Sequence, residues 1–137
     1  MAKPRFTARN IILTIIILAA IAVACVVFSI FFFSPENVVK RTIPAIATDY
    51  YENYFYPEIT EGNINSPSDI FSKYTNTGFS RITFRQLLFY DAERHPDAAA
   101  AITTYCDLSG SYIQIYPKSP FGKSDYRIDY HYSCQFK

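Results

Sequence analysis

Tryptophan is absent from the 137 residues; histidine occurs twice, cysteine three times and glycine four times. So few histidines and cysteines leave no HExxH pair and no ligand run at zinc spacing, and the scattered glycines form no phosphate-cradling loop. A GxSxG nucleophile elbow is also missing. Lysine and arginine never gather into a stripe, which removes the electrostatic case for nucleic acid. No acid precedes Glu36. One stretch lacks charge, proline and glycine altogether: Ile11 to Phe33, IILTIIILAAIAVACVVFSIFFF.

That stretch organises the chain. Its 23 residues, wound as a helix at about 1.5 Å per residue, reach roughly 34 Å, enough to cross a hydrocarbon core of about 30 Å. A soluble core helix rarely stays apolar on every face for so long. Residues 1–10 form a basic flank with Lys3, Arg5 and Arg9, and by the positive-inside bias this flank stays in the cytoplasm. Residues 11–33 then read as a transmembrane signal anchor whose partner is the lipid bilayer. Residues 34–137 read as one domain outside the cytoplasm; they carry 10 Lys/Arg against 12 Asp/Glu, a net charge of −2.

Processing of the start has three alternatives. Ala22-Val23-Ala24 matches the small-residue pattern of a cleavable signal, and with Cys25 it approaches a lipoprotein signal, although Ala22 stands where a large aliphatic is usual. Either cut leaves CVVFSIFFF at a new N-terminus, where a polar tether is expected, so an uncut anchor is the simpler reading. Phe6-Thr7 after a short basic leader, followed by an apolar helix, resembles type IV pilins and pseudopilins, as do a C-terminal β region and a late cysteine pair. The chain departs from that family where Arg5 replaces its leader glycine and Asn10 stands near its helix-start glutamate. The resemblance implies leader removal and assembly through the apolar helix.

The outer domain reads as α+β. Ser34-Pro35-Glu36 opens a helix, with Ser34 as cap, Pro35 in the first turn and Glu36 at the positive end of the dipole. Val39, Ile43, Ile46, Tyr50 and Tyr54 supply one apolar face, Pro44 is expected to kink or split the helix, and its end falls near Tyr56, ahead of Pro57. The opening SPENVVK resembles the first helix of membrane-tethered NTF2-like domains. Ser66 with Asp69 starts a short helix to about Tyr74, with Phe71 and Tyr74 packing inward. Residues 79–94 suit either a strand or a helix; Thr83 and Gln86 as a capping box, and Phe84, Leu87 and Leu88 as an apolar face, favour helix over 84–94. His95-Pro96 breaks it, and Asp97 heads another helix running into Cys106. Residues 111–136 alternate as a β-hairpin around the turn PKSPFGKS, with Tyr126, Ile128, Tyr130, Tyr132, Cys134 and Phe136 on one face of its last strand. A lone hairpin is unstable in water, so helices must cover its Tyr/Ile face.

The domain's two cysteines, Cys106 and Cys134, are expected to form a disulfide, in keeping with an oxidising compartment. Asp129, His131 and Ser133 share a strand face, but alternation alone produces that spacing and a solvated face is the plainer reading. His95 reads as a surface residue. The sequence names no catalytic residue, metal ligand or cofactor. The turn carries Lys118 and Lys123 around Phe121, an apolar tip between two cations that suits contact with another membrane or cell-surface protein, a polyanionic wall polymer or a membrane headgroup, with an ordinary solvated hairpin tip as the plainer reading. The chain thus resembles short single-pass extracytoplasmic bacterial proteins of uncharacterised families. The expected role is non-enzymatic binding at the cell surface, with a pilin-like subunit as the alternative.

Overall fold

A computed structural model describes residues 8–63, 65–71, 81–91 and 93–136. The fold is α+β, with a long apolar N-terminal helix ahead of helices and a three-stranded antiparallel sheet. Helix α1, Ala8–Phe32, buries none of its residues and is long and apolar enough to cross a membrane.

Helix α2, Pro35–Tyr50, starts as its sequence dictates. Ser34 Oγ accepts the Asn37 N–H at 3.4 Å, and Pro35 and Glu36 fill the first turn. Pro44 does not split the helix. Its missing N–H deprives the Lys40 carbonyl of a partner, but Lys40 is exposed to water, and Val39, Ile43, Ile46 and Ala47 are buried on both sides of the proline. Nor does the helix stop near Tyr56. It widens into a π-helix at Tyr51–Phe55, where the Tyr56 N–H reaches Tyr51 O, and resumes as α3, Tyr56–Thr60. Pro57 does not end this helical run, since Phe55 and Tyr56 before it keep helical backbone.

The apolar stripe also turns. Tyr51 is buried, Tyr50 is half-buried and Tyr54 is 47% exposed. The expected stripe has spacings of four, three, four and four, close to the α-helical turn, and it is the wider turn of the π-helix that changes the phase beyond Tyr50. That change brings Tyr51 into the core and leaves Tyr54 on the wet side.

Helix α4, Pro67–Phe71, is capped by Ser66, whose Oγ lies 3.3 Å from the Asp69 N–H. Phe71 is fully buried, while the expected continuation to Tyr74 lies outside the described residues. The ambiguous stretch contains both structures. Arg81–Thr83 is a short strand, β1, and Phe84–Asp91 is helix α5. Thr83 serves both: its N–H donates to Gln86 Oε1 at 2.8 Å and its Oγ1 accepts the Gln86 N–H at 3.3 Å, the reciprocal capping box. α5 ends at Asp91, short of the expected position 94. Helix α6, Pro96–Tyr105, runs into Cys106.

Strands β2, Tyr112–Pro117, and β3, Tyr126–His131, form the hairpin, with Ile113 opposite Tyr130 and Ile115 opposite Ile128; β1 adds to the free side of β2. β3 stops at His131, short of the expected 136, and beyond it only an isolated bridge pairs Cys134 with Cys106. Ile113, Ile115, Phe84, Leu87, Ile102, Ile43 and Ile46 meet in one core, so the helices cover the hairpin's Tyr/Ile face. Tyr112, Gln114, Tyr116, Arg127, Asp129 and His131 share the opposite face.

Candidate functional site

The sequence-predicted tip is not an exposed apolar contact. Phe121 is only 7% exposed, adopts φ 64° and stacks on Phe71 with ring centroids 6.3 Å apart. Tyr56 Oη donates to the Phe121 carbonyl at 3.0 Å, and Lys123 Nζ donates to Asn53 Oδ1 at 2.9 Å. A little further on, Tyr126 Oη donates to Glu52 Oε1 at 2.8 Å. The turn therefore folds back onto the π-helix and plugs the core with its one large apolar side chain. Local turn chemistry places such a residue on the surface; only the tertiary contact buries it. Lys118 and Lys123 remain exposed.

The expected cysteine pair is brought together, with the Cys106 and Cys134 sulfurs at disulfide distance, 2.07 Å. A hollow of about 700 Å³ flanks them, walled by Thr104–Asp107 and Tyr132–Gln135. These walls are a structural seam, since Asp107 N donates to Ser133 O and Gln135 N to Tyr105 O, each at 2.8 Å. The Asp129, His131 and Ser133 alternation does not assemble into a relay. Asp129 accepts from Arg127 at 3.1 Å, His131 stacks on Tyr112 at 4.4 Å, and Ser133 lies past the strand with its N–H on Ser111 Oγ. His95, half-exposed, holds Nδ1 3.0 Å from Oδ2 of the buried Asp91.

A site that sequence reasoning missed lies between α2, the π-helix and α5. Tyr50, Tyr54, Arg85, Gln86, Phe89 and Tyr90 line a cleft of about 600 Å³. Its floor is a packed tyrosine trio: Tyr50–Tyr54 at 5.3 Å, Tyr50–Tyr90 at 5.2 Å edge-on, and Tyr54–Tyr90 at 5.5 Å. Tyr90 Oη donates to Asp49 Oδ2 at 2.7 Å, Arg94 pairs with the same carboxylate, and Asn53 Nδ2 donates to its other oxygen at 2.8 Å. These hydrogen bonds, Tyr90 first, hold the Asp49 carboxyl below its ordinary value, while burial pushes the Tyr50 and Tyr90 phenols up.

The rim is different. Phe89 is 87% exposed, and Arg85, one helical turn before it, adds a cation beside it. The signal was present in the sequence. A helix over 84–91 that buries Phe84, Leu87 and Asp91 turns Phe89 towards water. Exposed aromatic and arginine side chains on a rigid frame are the usual makings of an interaction hot spot, although one exposed phenylalanine alone is ordinary surface.

No family model matches the chain, and no similar curated protein or solved structure was found.

Proposed function

We propose that the chain is a single-pass membrane protein whose domain, residues 34–137, stands outside the bacterial cytoplasm. It acts there by binding another membrane or cell-surface protein through the Phe89 cleft, not by catalysis. The observation that carries the reading is the pairing of an 87% exposed Phe89 with a prebuilt tyrosine floor. Beyond Phe33, the large apolar side chains exposed among the described residues are Tyr54, Phe89 and Tyr132, and two of these three line this cleft. α1, with nothing buried against the domain, supports the anchor, and the cysteine pair supports an oxidising compartment.

The test uses the full chain in its own membranes. A photo-crosslinking residue replaces Phe89 in one variant and Thr103, exposed on α6, in another. One discrete crosslinked partner at position 89, absent at 103 and lost on Arg85→Glu, is the expected result. Equal crosslinking at both positions, or none at 89, overturns the cleft. Protease added to spheroplasts should digest the domain, and protection overturns its orientation. An intact mass beginning at Phe6 would instead put the pilin-like subunit first.

A further inference from the structure

We propose that the joint between α1 and α2 is a binding site for the phosphate of an anionic phospholipid in the leaflet on the domain's side. The inference rests on the reading of α1 as a membrane span.

The joint is built by few residues. Asn37 Nδ2 donates to the Phe31 carbonyl at 2.7 Å, capping the end of α1 from the first turn of α2. Ser34 Oγ holds the Asn37 backbone N–H. This fixes how the two helices meet. Asn37, Lys40 and Arg41 stand three and four residues apart and so share one side of α2. The Arg41 guanidinium lies over the Phe32 ring, 4.1 Å from its centroid. Together Phe31, Phe32, Asn37, Lys40 and Arg41 line a hollow of about 300 Å³. Its base is aromatic and its top carries two cations and an amide.

The level of this hollow selects the ligand. Phe31 and Phe32 close the apolar helix, where hydrocarbon gives way to headgroups. The cation–π contact holds the Arg41 charge at that level, where an arginine on a free stem would swing into water. Glu36 pairs with Lys40 and offsets much of its charge. Arg41 has no carboxylate partner among the described residues. The hollow thus presents a net positive charge with a planar donor fork, the geometry suited to a phosphate monoanion. Acyl chains below would continue along Phe28 and Phe31 of α1.

The experiment uses the full-length protein extracted in mild detergent and presented with equal amounts of phosphatidylglycerol and phosphatidylcholine. Retained lipid is counted by native mass spectrometry. One phosphatidylglycerol per chain, retained over phosphatidylcholine, is expected. Arg41→Gln should lower that preference about fivefold, the value of one basic residue at a membrane surface. Lys40→Gln should lower it less, and Arg127→Gln, on the sheet face away from the joint, should leave it unchanged. Equal retention of the two lipids by the parent protein, or a preference that survives Arg41→Gln, overturns the site. Displacement of the lipid by millimolar inorganic phosphate overturns the lipid and leaves a free-phosphate site. Carbonate extraction of the same protein from membranes keeps the two readings apart: release into the soluble fraction refutes the span, whereas retention without lipid preference refutes only the joint.

Discussion

Replacing Phe121 with alanine separates a buried hairpin tip from an exposed one. The ring is 7% exposed and stacks on the fully buried Phe71. Truncating a buried phenylalanine costs about 3 to 5 kcal/mol; at the edge of the core, where the turn can partly collapse, the lower end, about 3 kcal/mol, applies. The unfolding entropy of a domain of 104 residues is near 0.2 kcal/mol per kelvin, so Tm should fall by roughly 14 °C. An exposed phenylalanine would cost at most about 0.5 kcal/mol, a shift near 2 °C. The backbone adds a second, independent arm. Phe121 adopts φ 64°, where any side chain bearing a Cβ is strained by about 1 to 2 kcal/mol. Phe121→Gly should therefore be no less stable than Phe121→Ala, the reverse of the usual order. Thermal melts of the full chain in mild detergent, followed by near-ultraviolet circular dichroism of tyrosine, read this cleanly. All twelve tyrosines lie at or beyond Tyr50, so α1 contributes none to that signal. A shift near 2 °C for Phe121→Ala refutes the plugged core. A large shift with alanine clearly above glycine leaves the burial standing and refutes the backbone conformation.

Replacing Cys106 and Cys134 together with serine should cost about 3.6 kcal/mol in the loop-closure account for a separation of 28 residues; the parent protein under reductant should show the same urea midpoint, and an unchanged midpoint refutes the bond. Tyr90→Phe removes the leading hydrogen bond that holds Asp49 below its ordinary value of 3.8. A carboxyl lowered in the folded state contributes stability fully above its unfolded value and loses it as pH falls through the folded one. The variant should thus be about 1 kcal/mol less stable at pH 7, with the gap closing below about pH 4 in urea titrations; a gap constant to pH 2 refutes the linkage. Gln86→Ala breaks the reciprocal cap at Thr83 and should cost about 1 kcal/mol by the same denaturation. Phe89→Ala, at an exposed position, should stay within about 0.5 kcal/mol of the parent protein, and a larger loss would mean that the ring is packed.

Much of the fold was legible where local chemistry decides it. The apolar helix follows from composition, the start of α2 from Ser34-Pro35, the start of α5 from Thr83 and Gln86, and the hairpin from alternation. What stayed hidden depends on partners distant in sequence. β1 has only three residues, and the strand reading open to residues 79–94 narrows to Arg81-Ile82-Thr83 only because β2 offers its free edge there. The π-helix leaves no residue signature, yet it turns Tyr51 into the core and offers Glu52, Asn53 and Tyr56 to the hairpin. The burial of Phe121 is a consequence of that same docking. Of the candidate sites, the cysteine pair was legible from number and position. The cleft needed the helix at 84–91 to be settled before Phe89 had a wet side.

One helix couples the proposed anchor to the proposed cleft and so limits what the cleft can meet. From Pro35 to Tyr54 the backbone is helical throughout, passing from α2 into the π-helix without a loop. At about 1.5 Å per residue the two ends are separated by no more than roughly 29 Å, whatever the tilt of α2 against the membrane. Tyr54 lines the cleft, so with α1 in the bilayer the cleft stands within about that height of the surface. Asn37 ties the base of this helix to Phe31, so the reach is set by a hydrogen-bonded joint rather than by a flexible tether. A partner must then present its own surface within a few tens of ångströms of the bilayer. A neighbouring membrane protein meets that condition without further assumptions. A wall polymer meets it only where its strands approach the membrane. A longer spacer inserted between Phe33 and Ser34, which keeps the Ser34 cap on α2, should therefore weaken position-89 crosslinking to a membrane partner while leaving the domain's melting temperature unchanged; crosslinking that survives a spacer of ten or more residues would point to a soluble or wall-borne partner.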